Sequence, residues 1–326
     1  MRVFDKPFEL LPVDHPSRMA IPMMGTSLNQ EQSHPGVNDT LPVNDVNPFG
    51  VPAVAGFPGA GSGRGRDKYE QIAADSVANQ GYARVTAEFQ GELSRGDLGL
   101  ARAAFLATVR DNPLDRYSAG NRHRRFQVFY FHPWTDRLES RPPVWDAERK
   151  EWVSTYIQAA TINPEQGGKP RAFAPFSAMQ RFNPFLGALI KKCYRGLPWE
   201  ATDSLIVGAH VIQLVARPGM PAASSPDYLH CDSEPYTWAF LLERCRVDGG
   251  ENLIAVPKVA NQHPSTVADS DILERFTLEQ PFDGWVVNDK LVSHYVSPVS
   301  VAENETVGWR TILLIDFSRA IPDVAH

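Results

Sequence analysis

The chain predicts an antiparallel β-barrel or jelly roll, preceded by helices and by a Pro/Gly-rich extension. Three observations carry this expectation. From about residue 204 onward, short apolar or alternating runs are broken by Gly, Pro, Asn and Asp. Capped helical patterns are confined to about residues 67–200. Finally, His230 and Asp232 stand 62 residues before His294 if counted from the acid. A shared site for these groups needs a fold whose ends bring distant strands together, as a roll does.

Residues 1–66 read as an extension with nine prolines and the run Gly56-Phe57-Pro58-Gly59-Ala60-Gly61-Ser62-Gly63-Arg64-Gly65. Such composition resists helix and sheet alike. No strand precedes the glycines and no Gly-Lys-Ser/Thr ends them, so a linker is favoured over a phosphate loop. Residues 67–326 are then one domain, with helical support over about 67–200 and a β-roll core over about 204–318. A first helix is expected behind a cap at Asp67, with Tyr69, Ile72, Ala73, Ser76 and Val77 on its inner face and Gly81 as its stop. A second is expected from a cap at Asp97 through Leu98, Phe105, Leu106 and Val109 to Pro113. The third is the best punctuated: Asn183 as cap, Pro184 as first residue, an apolar face of Leu186, Leu189, Ile190 and Cys193, and Gly196 as stop. Strands are expected over 125–131, 205–215, 236–242, 253–256, 284–288 and 311–317.

A length of 326 residues suffices for a sizeable core, and 43% hydrophobic content is that of a globular protein. Thirty-two basic against 38 acidic residues leave a net charge of −6. With no basic stripe, a nucleic-acid partner is not expected. Three cysteines without paired spacing argue against a disulfide framework. No apolar run reaches the ~18 residues of a spanning helix, and Met1–Pro7 lacks the apolar core of a signal peptide. The expectation is a cytoplasmic protein with a small-molecule substrate and no membrane partner. Oligomeric state is not legible.

His230-Cys231-Asp232 is the chemical landmark. Side chains alternate along an extended segment, so the imidazole and carboxylate share a face while Cys231 points away. His294 can complete a 2-His-1-carboxylate set, which leaves three open positions on an octahedral metal and suits non-haem Fe(II) oxygen chemistry. Arg310, 16 residues further on, opens the apolar strand Thr311–Phe317 and can clamp a carboxylate there. Taken singly, an H-x-D is usually structural; the ordered set with its intervening turns is what carries weight. Further candidates for substrate contact are softer. A free amino acid needs a carboxylate partner, and Arg122, Arg124 and Arg125 offer cations on or before a strand, with Arg125 and Gln127 on one face of it; a solvated basic edge is the plain alternative for any one of them. Gln213 sits among apolar residues and needs partners if buried. Tyr236 and Trp238 share the parity of His230 and Asp232 if the strand is unbroken, although core packing explains them equally well.

The stretch Tyr228–Phe317 resembles the Fe(II)/2-oxoglutarate dioxygenase family that includes bacterial hydroxylases of free L-amino acids, isoleucine hydroxylase-like members among them. The matching pieces are His230-Cys231-Asp232, Arg244 with Gly249-Gly250-Glu251-Asn252, Phe276-Thr277-Leu278, Asn288-Asp289, His294 and the Arg310 strand. Upstream, Gly81–Val85, Arg122–Phe129 and Phe182-Asn183-Pro184 also match, so the resemblance covers about residues 67–318. Ser233 departs from the Gly that many relatives carry after H-x-D. The resemblance implies a distorted double-stranded β-helix (jelly roll, cupin-like) with flanking helices. It implies Fe(II) on His230, Asp232 and His294, and 2-oxoglutarate held at its distal carboxylate by Arg310 with help from Thr311. Three protein ligands and two from the co-substrate leave one of six positions for O2, and ascorbate is an expected aid. The implied reaction is oxidation of an unactivated C–H bond of a small, free, aliphatic amino acid, by hydroxylation in secondary metabolism. Ring closure onto the substrate amine or desaturation are alternative ends of the same chemistry. Asp232 fills the place that halogenases leave open for chloride, which argues against halogenation. Two other classes stay open at this point: a zinc hydrolase or isomerase on the same kind of roll, and a non-catalytic binding roll.

Overall fold

A computed structural model of the protein describes residues 65–157, 169–224, 226–232 and 234–320. The extension expected over residues 1–66 therefore lies outside the described residues except at its end, as does Ser233. The helices are α1 (Lys68–Gln80), α2 (Gly96–Ala107), α3 (Ala178–Arg181) and α4 (Pro184–Arg195). The strands are β1 (Tyr82–Val85), β2 (Arg122–His132), β3 (Arg137–Ser140), β4 (Val144–Asp146), β5 (Glu151–Tyr156), β6 (Arg171–Pro175), β7 (Leu205–Ala216) and β8 (Tyr236–Cys245). They continue with β9 (Val247–Gly249), β10 (Glu251–Ala255), β11 (Ile272–Thr277), β12 (Gly284–Asn288), β13 (Ser293–Val296), β14 (Val299–Val301) and β15 (Gly308–Arg319). Among the described residues no helix is long and apolar enough to cross a membrane.

The helix signals act as the sequence indicates, with two corrections. Asp67 caps α1 through a capping box with Glu70, and Gly81 ends it at φ 86°. The inner face keeps Ala73 and Val77 of the expected set and adds Glu70 and Ala74, whereas Tyr69 and Ile72 are exposed. Glu70 can sit inside because Lys192, itself buried, and Arg195 both pair with it. Helix α2 starts at Gly96 rather than behind Asp97, and it stops at Ala107, well before Pro113. Helix α4 follows its punctuation closely. The Asn183 side chain accepts from the amides of Phe185 and Leu186 and donates to the Ala101 carbonyl at 2.9 Å. Cys193 on this helix is fully buried packing.

The large sheet runs β1-β12-β8-β15-β7-β2-β6-β5-β4, with β3 also on β2. Its pairings are antiparallel except for β2 with β6. The strands β2–β6 interrupt what the sequence reading assigned to helical support, and β2 joins the roll directly through β7. A three-stranded sheet β11-β10-β13 and the pair β14-β9 complete the set. Odd-numbered residues of β7 and β15, such as Val207, Val211, Leu313 and Phe317, pack with α4 residues Phe185, Leu189 and Ile190 in the main core. By the alternation of a strand, the even-numbered residues face the other way. There, between the large and the small sheet, lies a cavity of about 130 Å³.

Asn183→Ala removes both cap bonds and the tether to Ala101. It should lower the unfolding free energy by about 1–2 kcal/mol. The reading is a lower urea midpoint with an unchanged slope, and an unmoved midpoint would show that the cap contributes nothing.

Candidate metal centre

His230 lies outside the regular strands, yet its backbone is paired with that of His294 on β13. The His230 amide donates to the His294 carbonyl at 3.0 Å and the reverse bond is 2.8 Å. Residues that exchange both bonds stand directly opposite with side chains on one face, and the two imidazole centroids are 4.2 Å apart. Asp232 reaches the same point, with Oδ1 3.8 Å from His230 Nε2 and Oδ2 3.3 Å from His294 Nε2. One donor atom from each of the three lies within 4.8 Å of the others.

The surroundings orient these groups. His230 Nδ1 is 3.0 Å from the Tyr228 carbonyl, which fixes that nitrogen as the N–H donor and turns the Nε2 lone pair toward Asp232. Burial and the neighbouring His294 lower the His230 pKa to about 4. Around His294, burial is outweighed by the carboxylates of Asp232 and Asp289, which raise it to about 10. Burial also opposes ionisation of Asp232, but His294 and His230 prevail and hold it well below the usual carboxylate range. The Nε2 of His294 lies 3.2 Å from Asp289 Oδ1. Neither that contact nor the one to Asp232 has hydrogen-bond geometry, so both His294 Nε2 and Asp289 Oδ1 are buried without a hydrogen-bond partner. Two imidazole nitrogens and a carboxylate converging on one point, with a buried nitrogen unsatisfied, suit a divalent transition metal. Cys231 turns away and donates its thiol to the Val292 carbonyl at 3.4 Å.

Arg310 lines the same cavity and is 3% exposed. Among the described residues no carboxylate forms an ion pair with it, and its Nε is buried without a partner. Burial and the nearby Arg244 lower its pKa to about 9. The pairing of β8 with β15 slips between Thr311 and Ile312, leaving Leu242 as an extra residue on β8 and placing Arg244 opposite Arg310. The Arg244 guanidinium is tied to the Val247 and Gly249 carbonyls. Gly250, at φ 70°, allows this approach: a Cβ there would lie 3.1 Å from Arg310 Cδ and 3.2 Å from Arg244 Nη1. Two adjacent cations with no ion-paired carboxylate among the described residues are suited to an anion.

The structure moves most of the softer candidates off this cavity. Thr311 and Gln213 are neighbours in register on β15 and β7 and have the opposite parity to Arg310, so they face away from it. Tyr236 and Trp238 also face the helix-side core, where Trp238 stacks on Phe89 and Phe240. Their expected parity fails because β8 begins only at Tyr236 and the chain bends at Glu234 and Pro235. It is Thr237 and Ala239 that line the cavity. Arg125 points outward and donates to the Pro175 and Asp111 carbonyls. Arg122 does line the cavity, but its Nε is bound to the buried Asp115 carboxylate at 2.7 Å.

Other groups at the cavity went unassigned from sequence. His210 on β7 sits between Asp316 of β15, 3.2 Å from its Nε2, and Arg124 of β2, 2.7 Å from its Nδ1. Asp316 also accepts the Gly208 amide at 3.1 Å, an approach that leaves no room for a Cβ at 208, which would lie 2.4 Å from the carboxylate. Tyr156 donates its hydroxyl to Glu234 at 3.1 Å. Trp285 stands 5.4 Å from the His294 ring and donates its indole N–H to Asn252. The signal for Asp316 was the period of two from Arg310; His210 gave the sign of a lone His inside an apolar run.

A family model described as 2OG-Fe dioxygenase matches residues 107–316, more than half of the chain. An L-isoleucine-4-hydroxylase from Bacillus thuringiensis is 30% identical over 169 residues, which are 50% of this chain and 65% of that protein. A 3(1)-hydroxy-L-isoleucine 4-dioxygenase from Pantoea ananatis is 33% identical over 174 residues, 45% of this chain and 65% of that protein. The matches thus span just under two thirds of these curated relatives. Among solved structures, that of IDO from Bacillus thuringiensis superposes with a TM-score of 0.60 at 21% identity, over 77% of this chain and all of that one. This last likeness shows the shared fold, a double-stranded β-helix.

Burial, with the charge of Arg124 in support, holds His210 near a pKa of about 4 against its ordinary 6.5. Between these values the unfolded chain binds more protons than the folded one, so stability is undiminished above about pH 6.5 and declines as the pH falls toward 4. Urea titrations of His210→Asn should show a shallower loss across that window than the parent protein. Equal slopes would mean that His210 is not buried in its neutral form.

Proposed function

The chain belongs to the 2OG-Fe dioxygenase family, and on that premise we propose that it is an Fe(II)/2-oxoglutarate-dependent oxygenase acting on a small, free, aliphatic amino acid. The observation that carries this reading is the convergence of three donors in one cavity with Arg310, with which no carboxylate among the described residues forms an ion pair. In this reading His230, Asp232 and His294 hold Fe(II), and Arg310, flanked by Arg244, receives the distal carboxylate of 2-oxoglutarate. The bound iron with 2-oxoglutarate and O2 supplies the oxidising power: one oxygen atom enters the C–H bond as hydroxyl, and the other leaves in succinate with release of CO2. The chain's own residues bind and orient the reactants. Ile212, Ile312, Leu314, Trp285 and Val296 give the cavity an apolar lining that accepts an aliphatic side chain and keeps water out. Isoleucine and its hydroxylated derivative, named in the two curated relatives, are the first substrates to try. A biosynthetic role in the cytoplasm belongs to the same proposal.

Anaerobically purified protein should bind one Fe(II) per chain. On admission of O2 it should convert 2-oxoglutarate to succinate only with the right amino acid present, and Asp232→Ala should abolish both. Mass analysis across an amino-acid panel identifies the outcome: a gain of sixteen mass units is hydroxylation, while a loss of two is desaturation or ring closure. Turnover of a substrate without consumption of 2-oxoglutarate would instead favour a zinc hydrolase or isomerase. Arg310→Ala should raise the 2-oxoglutarate requirement roughly 30-fold or more, the 2–5 kcal/mol typical of losing one partner of a buried charge pair. An unchanged requirement would sink the clamp assignment.

A further inference from the structure

Four arginines reach the large-sheet wall of the cavity, and they are not equivalent. Arg122 is neutralised by Asp115. Arg310 stands with Arg244 at the co-substrate end. Arg171 lies 5.0 Å from the Tyr156 ring, and Arg124 lies 4.3 Å from the Phe173 ring. Among the described residues no carboxylate forms an ion pair with Arg124, and its Nε is buried without a hydrogen-bond partner. We propose that Arg124 is the anchor for the α-carboxylate of the amino-acid substrate, held in position by His210 and Asp316.

The hydrogen bonds determine how it is held. A guanidinium only donates, so His210 Nδ1, 2.7 Å from Arg124 Nη2, must present its lone pair. Its Nε2 then carries the proton and donates toward Asp316 Oδ2 at 3.2 Å, while Asp316 Oδ1 accepts from the Gly208 amide. The imidazole is stacked on Phe126 with centroids 4.2 Å apart, which fixes its plane. Each group is thus oriented by the next, and none of them neutralises Arg124 at contact distance. A cation kept partly desolvated beside a neutral imidazole is poised for an anion from the cavity.

That anion is not the distal end of 2-oxoglutarate. Arg124 pairs with Ile212 and Ile212 with Ile312, so Arg124 lies two strands away from β15 and one side-chain row along from Arg310. Two strand spacings are about 10 Å, and the wall therefore offers two separate anion points. Glu234 and Asp316 also line the cavity, so the Arg124 end combines cations with acids, as recognition of a zwitterion requires. The apolar side chains between the two anion points leave the substrate side chain directed to the donor set.

The inference rests on the amino-acid reading above, and the test separates the two. Calorimetry at pH 7 on the anaerobic Fe(II) and 2-oxoglutarate complex compares L-isoleucine with L-isoleucinamide. The parent protein should prefer the acid roughly 30-fold or more. In Arg124→Gln that preference should collapse to near unity while 2-oxoglutarate affinity stays within about twofold of the parent, and Arg124→Lys should recover part of it. Retained preference in Arg124→Gln, or a loss confined to 2-oxoglutarate affinity, overturns the anchor and leaves the amino-acid reading standing. Equal binding of acid and amide by the parent protein overturns it without reference to any variant. Failure of every amino acid in the panel to bind or to elicit succinate from the parent overturns the amino-acid reading, and the anchor with it.

Discussion

The two backbone hydrogen bonds between His230 and His294 are the constraint on which the site depends. They attach an irregular segment to the edge of the three-stranded sheet and oppose the two imidazoles, with no need for a regular strand at residue 230. Asp232 follows two positions later and completes the set. His294 is held from the other side by the pairing of β13 with β10, where it stands opposite Ile254. Slippage of this register by one residue would send the imidazole to the opposite face and dissolve the cluster. The geometry of the donors is therefore secured by main-chain pairing, and side-chain packing such as that of Trp285 refines it.

The large sheet supplies the complementary part. Its helix side is a continuous apolar core, whereas its cavity side holds a series of charged residues that a stable core would exclude. Arg310 and Arg124 carry charge at buried or half-buried positions with no ion-paired carboxylate among the described residues. Keeping such groups desolvated opposes folding unless a ligand compensates. The apolar interior on the opposite face, from Phe185 and Leu189 across to Leu313 and Phe317, provides the stability that makes this tolerable. The same strands therefore serve both purposes, divided by the parity of their residues.

Parity also explains what could and could not be read from the chain. Helix α4 was legible because its cap, first-turn proline and terminal glycine all act locally. The donor residues and the Arg310 strand were legible because their spacing and order are distinctive. Strands β1, β3–β6, β9, β11, β13 and β14 carry no such signal, since short strands have weak patterns that only partners define. Tyr236 and Trp238 take the core-packing alternative because the alternation does not carry through the bend at Glu234 and Pro235, and of the neighbouring arginines Arg124 rather than Arg125 lines the cavity. Only the register of β2 against β7 decides between such neighbours, and that is a tertiary property. Buried Glu70 on α1 escaped notice for a similar reason: its partners Lys192 and Arg195 lie more than a hundred residues away.

Gly208 shows how a residue with no side chain can determine a distant choice. The carboxylate of Asp316 occupies the space that any larger residue at 208 would fill, so the two positions are expected to vary together through evolution. A lineage that acquired a side chain at 208 would have to move or give up that carboxylate, and with it the acceptor that faces His210 Nε2. Kinship of ligand preference within this group of proteins should accordingly follow a glycine that never meets the ligand.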